Sequence, residues 1–235
     1  MSLNNPPIAN TPIVYALKSL NPTMGVVHNM QVALTFEAAD IEANRKNKLG
    51  VTDVSCFAKF GIKGPNAASW LMSQGIQVPA HHNTWLAYKG YMVMKLGASE
   101  FLVEDQYNSN ICEKLASFNQ STTTGAYQVQ RADAAFILSG CEVLNMLSEL
   151  CMLDLRDSAL PANAVLMTQI AGISATLCRQ QLNGEQVYRV WCDSTYGVYM
   201  WNILLEVASE SGGGAVGLAS YFTNSYSENS LQEKN

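Results

Sequence analysis

Apolar and polar positions alternate along the chain, and glycines break the pattern into elements. In the stretch DVSCFAKFGIKGPNA, residues 53–67, Phe60, Ile62 and Gly64 share one face of a strand. Lys59, Gly61 and Lys63 take the other. Gly64 then lets the backbone turn, and Pro65 has its φ preset for a first helical position, where a missing N–H costs nothing. Helical spacing follows at Ala67, Trp70 or Leu71, and Gln74, ending near Gly75. The unit recurs. Residues 135–139 read as a strand, Gly140 as the turn, and residues 141–151 as a helix with Leu144, Leu147 and Leu150 on one face. Phe60 and Phe136 lie 76 positions apart, as do Gly64 and Gly140.

The flanking pattern fills in two similar halves. Residues 31–38 read as a strand, and 39–48 as a helix with Asp40 as its cap and Gly50 past its end. A loop, VPAHHNTW, precedes a hairpin with arms at 91–96 and 100–104. Tyr107, Ile111, Leu115 and Phe118 predict a helix over 107–118, and STTTG at 121–125 has linker composition. In the second half a strand at 165–170 precedes a hairpin, 174–179 and 186–192, turned by Asn183-Gly184. The closing helix carries Tyr196, Tyr199, Met200, Ile203, Leu204 and Val207 on one stripe. Each half thus reads β-α-β-β-α, close to the split βαβ arrangement. The expected fold is α+β: two pseudo-symmetric, ferredoxin-like halves around a central cleft. The expected domains are an N-terminal arm (1–30), a first half (31–120), a second half (126–208) and a flexible C-terminal tail (209–235).

Composition narrows the function classes. The 235 residues are 48% hydrophobic and only 14% charged, as in an ordinary globular chain. A net charge of −5 argues against a nucleic-acid partner, which needs a basic surface. The six cysteines include no C-x-x-C pair; most sit in apolar runs and read as core, while Cys56 stands as a candidate reactive thiol. The N-terminus has no basic region and too short an apolar run for a signal peptide or membrane span, so a cytoplasmic, reduced, membrane-free protein is expected. His81-His82 lacks a third ligand at a recognised spacing, so no metal site is expected. G-x-S-x-G, P-loop and G-x-G-x-x-G motifs are absent, which leaves hydrolase, nucleotide and dinucleotide readings without support.

Two motifs carry a family resemblance. Glu42, Ala43 and Arg45, followed by Leu49-Gly50-Val51-Thr52-Asp53-Val54-Ser55, resemble E-x-A-x-R … G-L-x-D-(L/V)-S. Phe60 to Ala67 is similar to the strand and G-P-D-A element that follows it. This is the signature of the folate-binding aminomethyltransferase family. It includes the glycine-cleavage T-protein, the gamma subunit of heterotetrameric sarcosine oxidase and the folate-binding iron–sulfur assembly factors. The likeness spans roughly residues 42–207. A second match lies in the last hairpin, where the T-protein carries R-x-G-Y-T-G-E-x-G-F-E-(I/V). Arg179, Gly184 and Glu185 match it, and Tyr188 stands for the Phe. The resemblance implies tetrahydrofolate as cofactor, with a folate or small amine as substrate. Glu185 would face the pterin, since a carboxylate accepts two N–H donors from an aminopyrimidine; otherwise it is a solvated turn residue. Arg179 and Lys95, at equivalent places in the two hairpins, would meet the folate glutamate carboxylate or else end their strands in solvent. Trp85 would line a ligand cleft, while Trp70 and Trp201 read as core. Asp53 caps a turn or pairs with Arg45.

The departures shape the expectation. The T-protein's G-G-x-x-D-D-L segment, which supplies an acid near the folate nitrogen, corresponds here to Trp85-Leu86-Ala87-Tyr88-Lys89-Gly90, with no acid. Leu182-Asn183 replaces its Tyr-Thr, the assembly factors' K-G-C-Y-x-G-Q-E is absent, and the sequence stops before a third, barrel-like domain. No catalytic residue is identified. Two functions stay open: an aminomethyltransferase moving a one-carbon unit from an amine to tetrahydrofolate, and a non-catalytic, gamma-like subunit beside flavoprotein partners, with an oligomer compatible with either. An RNA-modification partner is a third reading, against which the acidic balance counts.

Overall fold

A computed structural model describes residues 7–117, 124–156 and 159–222. The chain runs β1 (Ala9–Asn10), α1 (Val14–Leu17), β2 (Thr23–Val27), β3 (Met30–Thr35), α2 (Ala39–Leu49) and β4 (Gly50–Asp53). Next come β5 (Lys59–Lys63), α3 (Ala67–Ser73), β6 (Thr84–Tyr88), β7 (Tyr91–Lys95), β8 (Glu100–Asp105), α4 (Ile111–Ser117) and β9 (Tyr127–Val129). Last are β10 (Asp133–Ser139), α5 (Val143–Leu150), β11 (Val165–Ile170), β12 (Ile173–Leu182), β13 (Glu185–Asp193), α6 (Gly197–Glu210), β14 (Gly214–Ala215) and α7 (Ala219–Phe222).

The fold is mixed α+β. A five-stranded sheet has the order β6-β7-β8-β5-β9, and a six-stranded sheet the order β11-β12-β13-β10-β4-β14. A small sheet, β1-β3-β2, is added by the N-terminal residues. Strand alternation sorts the core into three layers of side chains. Tyr91, Val93, Phe101 and Val103 pack under α3 and α4 on the outer face of the five-stranded sheet. Phe136, Leu138, Tyr188 and Val190 pack under α5 and α6 on the outer face of the six-stranded sheet. Met92, Met94, Leu102, Ile137, Cys178 and Trp191 fill the seam between the sheets. A packed seam lies between the two sheets, with grooves at its rims.

Both turn glycines are forced. Gly64 and Gly140 have φ of 121° and 104°. A Cβ at Gly64 would lie 2.3 Å from the Gly125 carbonyl oxygen, and one at Gly140 2.4 Å from that of Lys48. The expected 174–179/186–192 hairpin forms as β12 and β13, its Asn183-Gly184 turn at φ 52° and 83°.

Several boundaries differ from the sequence reading. The last two residues of the expected loop, Thr84 and Trp85, begin β6, a strand the sequence reading did not assign, which pairs with β7 from Thr84↔Lys95 to Tyr88↔Tyr91. α4 starts four residues late because Asp105 caps it, accepting from the Ile111 and Cys112 amides. The expected end of that helix at Phe118, and most of the linker, fall outside the described residues. α2 has no side-chain cap from Asp40. The N-terminal arm is integral, since Ile13 and Leu17 are buried in the core.

The expected flexible tail is packed as far as residue 222. β14 pairs parallel with β4, and Val216, Leu218 and Tyr221 enter the seam. Buried Glu42 holds this segment, accepting from the Gly217 amide at 2.9 Å and the Ser220 hydroxyl at 2.7 Å.

Candidate functional site

At one rim of the seam, β6 and the β12–β13 hairpin border a groove of about 730 Å³, within the size range of small-molecule sites. The pleat decides which side chains reach it. Trp85 is opposite Met94 and Gln180 opposite Val187, so both point between the sheets. Six lining residues are amides, Gln106, Asn163, Gln180, Gln181, Asn183 and Gln186; Arg179 supplies a cation, and among the described residues no carboxylate lines the groove. The indole Nε1 of Trp85 is buried without a hydrogen-bond partner among the described residues. Buried donors are almost always satisfied, so such an atom marks a place where a partner is missing.

Behind the groove the seam holds a charged cluster. Gln180 is 4% exposed, and its Oε1 accepts from Arg189 Nη1 at 3.3 Å. Arg189 Nη2 donates to Glu104 Oε1, and the Trp191 indole donates to Glu104 Oε2. Lys59 Nζ lies 3.7 Å from the same Oε2 and donates to the carbonyls of Ser55 and Phe57. The Arg189 guanidinium also sits 4.9 Å from the Trp191 ring centroid. One carboxylate thus bridges two buried cations between β5, β8 and β13.

Lys59 reaches a second groove of about 570 Å³ on another rim, lined also by His28, Ser55, Phe57, Arg131 and Asp133. Arg131 and Asp133 are paired there at 3.0 Å. Beneath it Asp53 accepts from Thr11 Oγ1, from the Ser55 amide at 3.0 Å and from the Ser55 hydroxyl at 2.6 Å. Burial raises its pKa, against the lowering pull of those bonds. Asp53 therefore caps a turn and ties in the N-terminal segment; Arg45 pairs with Glu37 instead. Burial also pushes the Cys56 thiol up, which disfavours the thiolate that a reactive cysteine needs.

The residues singled out from the sequence separate. Trp85 and Arg179 line the same groove. Glu185 lies outside it, in an ion pair with Lys46 Nζ at 2.9 Å. Tyr188 points to the opposite face of β13, where its hydroxyl donates to the Leu155 carbonyl at 3.3 Å. Lys95 donates to the Ala80 carbonyl at 3.0 Å on the surface. Trp70 and Trp201 are core residues. Glu104, Gln180 and Arg189 were missed. For Glu104 and Arg189 the signal was a charge inside an otherwise apolar strand, FLVED and VYRVW; Gln180, in the polar run Arg179-Gln180-Gln181, carried none.

Comparisons with known proteins agree with this architecture. The family model described as the GCVT N-terminal domain matches residues 13–224, and the chain belongs to that family, the folate-binding aminomethyltransferase family. Among solved structures it is similar to the glycine cleavage system aminomethyltransferase T from Bartonella henselae, at 13% identity and a TM-score of 0.69. That match covers 91% of this chain and 61% of the Bartonella one, so the chain spans less than two thirds of that relative. A chain of the heterotetrameric sarcosine oxidase from Corynebacterium sp. U-96, solved with pyrrole 2-carboxylate, is 21% identical with a TM-score of 0.60. There 76% of this chain matches 94% of the other. No curated protein matches in sequence.

Proposed function

We propose that this protein binds tetrahydrofolate, or a close relative of it, in the groove between Trp85 and Arg179. The observation that carries the reading is the meeting of an aromatic wall, a guanidinium and six amides in one groove of suitable volume. Trp85 offers a face to the flat pterin. The amides offer donors and acceptors to its edge, and Arg179 offers a bidentate partner to a glutamate carboxylate. Bound folate would supply a nitrogen able to take a one-carbon unit from an amine. This chain's own residues bind and orient; with no carboxylate among the described residues of the groove, any transfer there rests on proximity. The halves are read as pseudo-symmetric, each a strand, a helix, three strands and a helix, with Gly64 and Gly140 as matching turns. The setting is cytoplasmic one-carbon metabolism. Titration of tetrahydrofolate should quench tryptophan fluorescence in the parent protein, and Trp85→Phe should remove most of that quenching. Equal quenching in both would remove the groove from the site.

The second reading is a non-catalytic subunit of a flavin enzyme complex. It is favoured by the 94% coverage of one chain of a heterotetrameric enzyme and by the exposed apolar Met152, Leu153 and Met167. Co-purification with a flavoprotein, lost on Met152→Lys, would support it.

A further inference from the structure

We infer that Gln180 is a specificity-determining residue, locked by Arg189 so that the groove reads a ring carbonyl on its ligand. This rests on the folate reading of the groove and names the feature of the ring that is recognised.

The argument turns on which end of the amide faces the ligand. Gln180 Oε1 accepts from Arg189 Nη1, so the carbonyl end is committed to the interior. Its Nε2 amino group has no hydrogen-bond partner among the described residues and is the end left for the groove. Flipping the amide would press two N–H donors against a guanidinium that is 2% exposed. Arg189 cannot swing away to permit the flip, because Glu104 holds its other nitrogen and Trp191 stacks beside it. The groove therefore presents a fixed donor at this point. Among the described residues no carboxylate lines the groove to receive donors from a ligand. A 4-oxo pterin ring offers the acceptor such a wall needs. A 4-amino ring puts a donor in the same place.

The test compares folic acid with its 4-amino analogue, which differ at that position. Calorimetric titration of the parent chain should give at least about tenfold tighter binding of the 4-oxo ligand, the effect of one mismatched buried hydrogen bond. Gln180→Glu keeps the bond to Arg189 but turns an acceptor to the groove, and it should reduce or invert the ratio. Arg189→Lys frees the amide to flip and should bring the ratio toward one, a change that loss of stability alone would not produce. Should Arg189→Lys fail to fold, Gln180→Glu still decides the matter. Parent affinities within about threefold of each other, or a ratio unmoved by Gln180→Glu, would overturn the inference and leave folate binding standing. Absence of binding by both ligands would overturn the folate reading and this inference with it.

Discussion

At the scale of single residues, the seam depends on Glu104. It is 1% exposed and answers two cations, Arg189 and Lys59, each of which would otherwise be buried beside apolar side chains. Glu104→Gln should lower unfolding free energy by roughly 3–5 kcal/mol, as expected when one partner of a buried ion pair is removed. Urea denaturation measures this, and a loss below about 1 kcal/mol would mean that water reaches the cluster. Asp53 gives a pH test. Its folded pKa is raised above the ordinary 3.8 by burial, so the native state holds its proton more tightly than the unfolded one. Its contribution to stability is then fully present below the ordinary value and is lost as pH rises through the raised one. Asp53→Asn should flatten that decline in thermal midpoint with rising pH. The turn-capping role of Asp53 is legible in the sequence, but the pairings of Glu104 are not. Glu104 and Arg189 lie 85 positions apart, and only the fold brings them together.

At the scale of elements, local chemistry made most of the fold readable. β11, α2 and the hairpin strands follow their apolar alternation and turn residues closely. The failures have physical causes. β6, reading TWLAY, lacks strict alternation and follows a polar loop, so its pairing to β7 overrides weak local preference. α4 carries apolar spacing back to Tyr107, but Asp105 draws the amides of Ile111 and Cys112 and fixes a later start. The site was legible only in part. Trp85 and Arg179 stood out as an aromatic and a cation beside hairpins, whereas Glu185 was diverted by Lys46, from a helix distant in sequence. The two turn glycines give the test at this scale. Gly64→Ala and Gly140→Ala should each cost more than about 1 kcal/mol, since each adds left-handed strain and a contact with a carbonyl oxygen. Gly184→Ala, with open space around it, should cost less than either. Thermal melts of the three variants would show that order or refute it.

Across the whole molecule, the sheets are held together by the seam and by the segment that follows α6. Val216, Leu218 and Tyr221 are buried in that seam, and Phe222 stacks on Tyr107 at 5.2 Å. Burial of large apolar side chains contributes about 1.5–3 kcal/mol each, so the segment carries a large share of a domain stability of roughly 5–15 kcal/mol. A chain ended after Ser211 should therefore fail to give a cooperative unfolding transition, measured by far-ultraviolet circular dichroism. A cooperative melt close to the parent's would show that the segment is dispensable. With the seam packed, the space for a ligand lies at the rim, which is why the groove beside Trp85 bears the functional reading.

The most direct test of that reading is calorimetric titration with tetrahydrofolate of the parent chain, Arg179→Ala and Glu185→Ala. The groove at Trp85 and Arg179 predicts micromolar binding that Arg179→Ala weakens about tenfold or more and Glu185→Ala leaves unchanged. No binding at millimolar ligand, or a loss confined to Glu185→Ala, would contradict it.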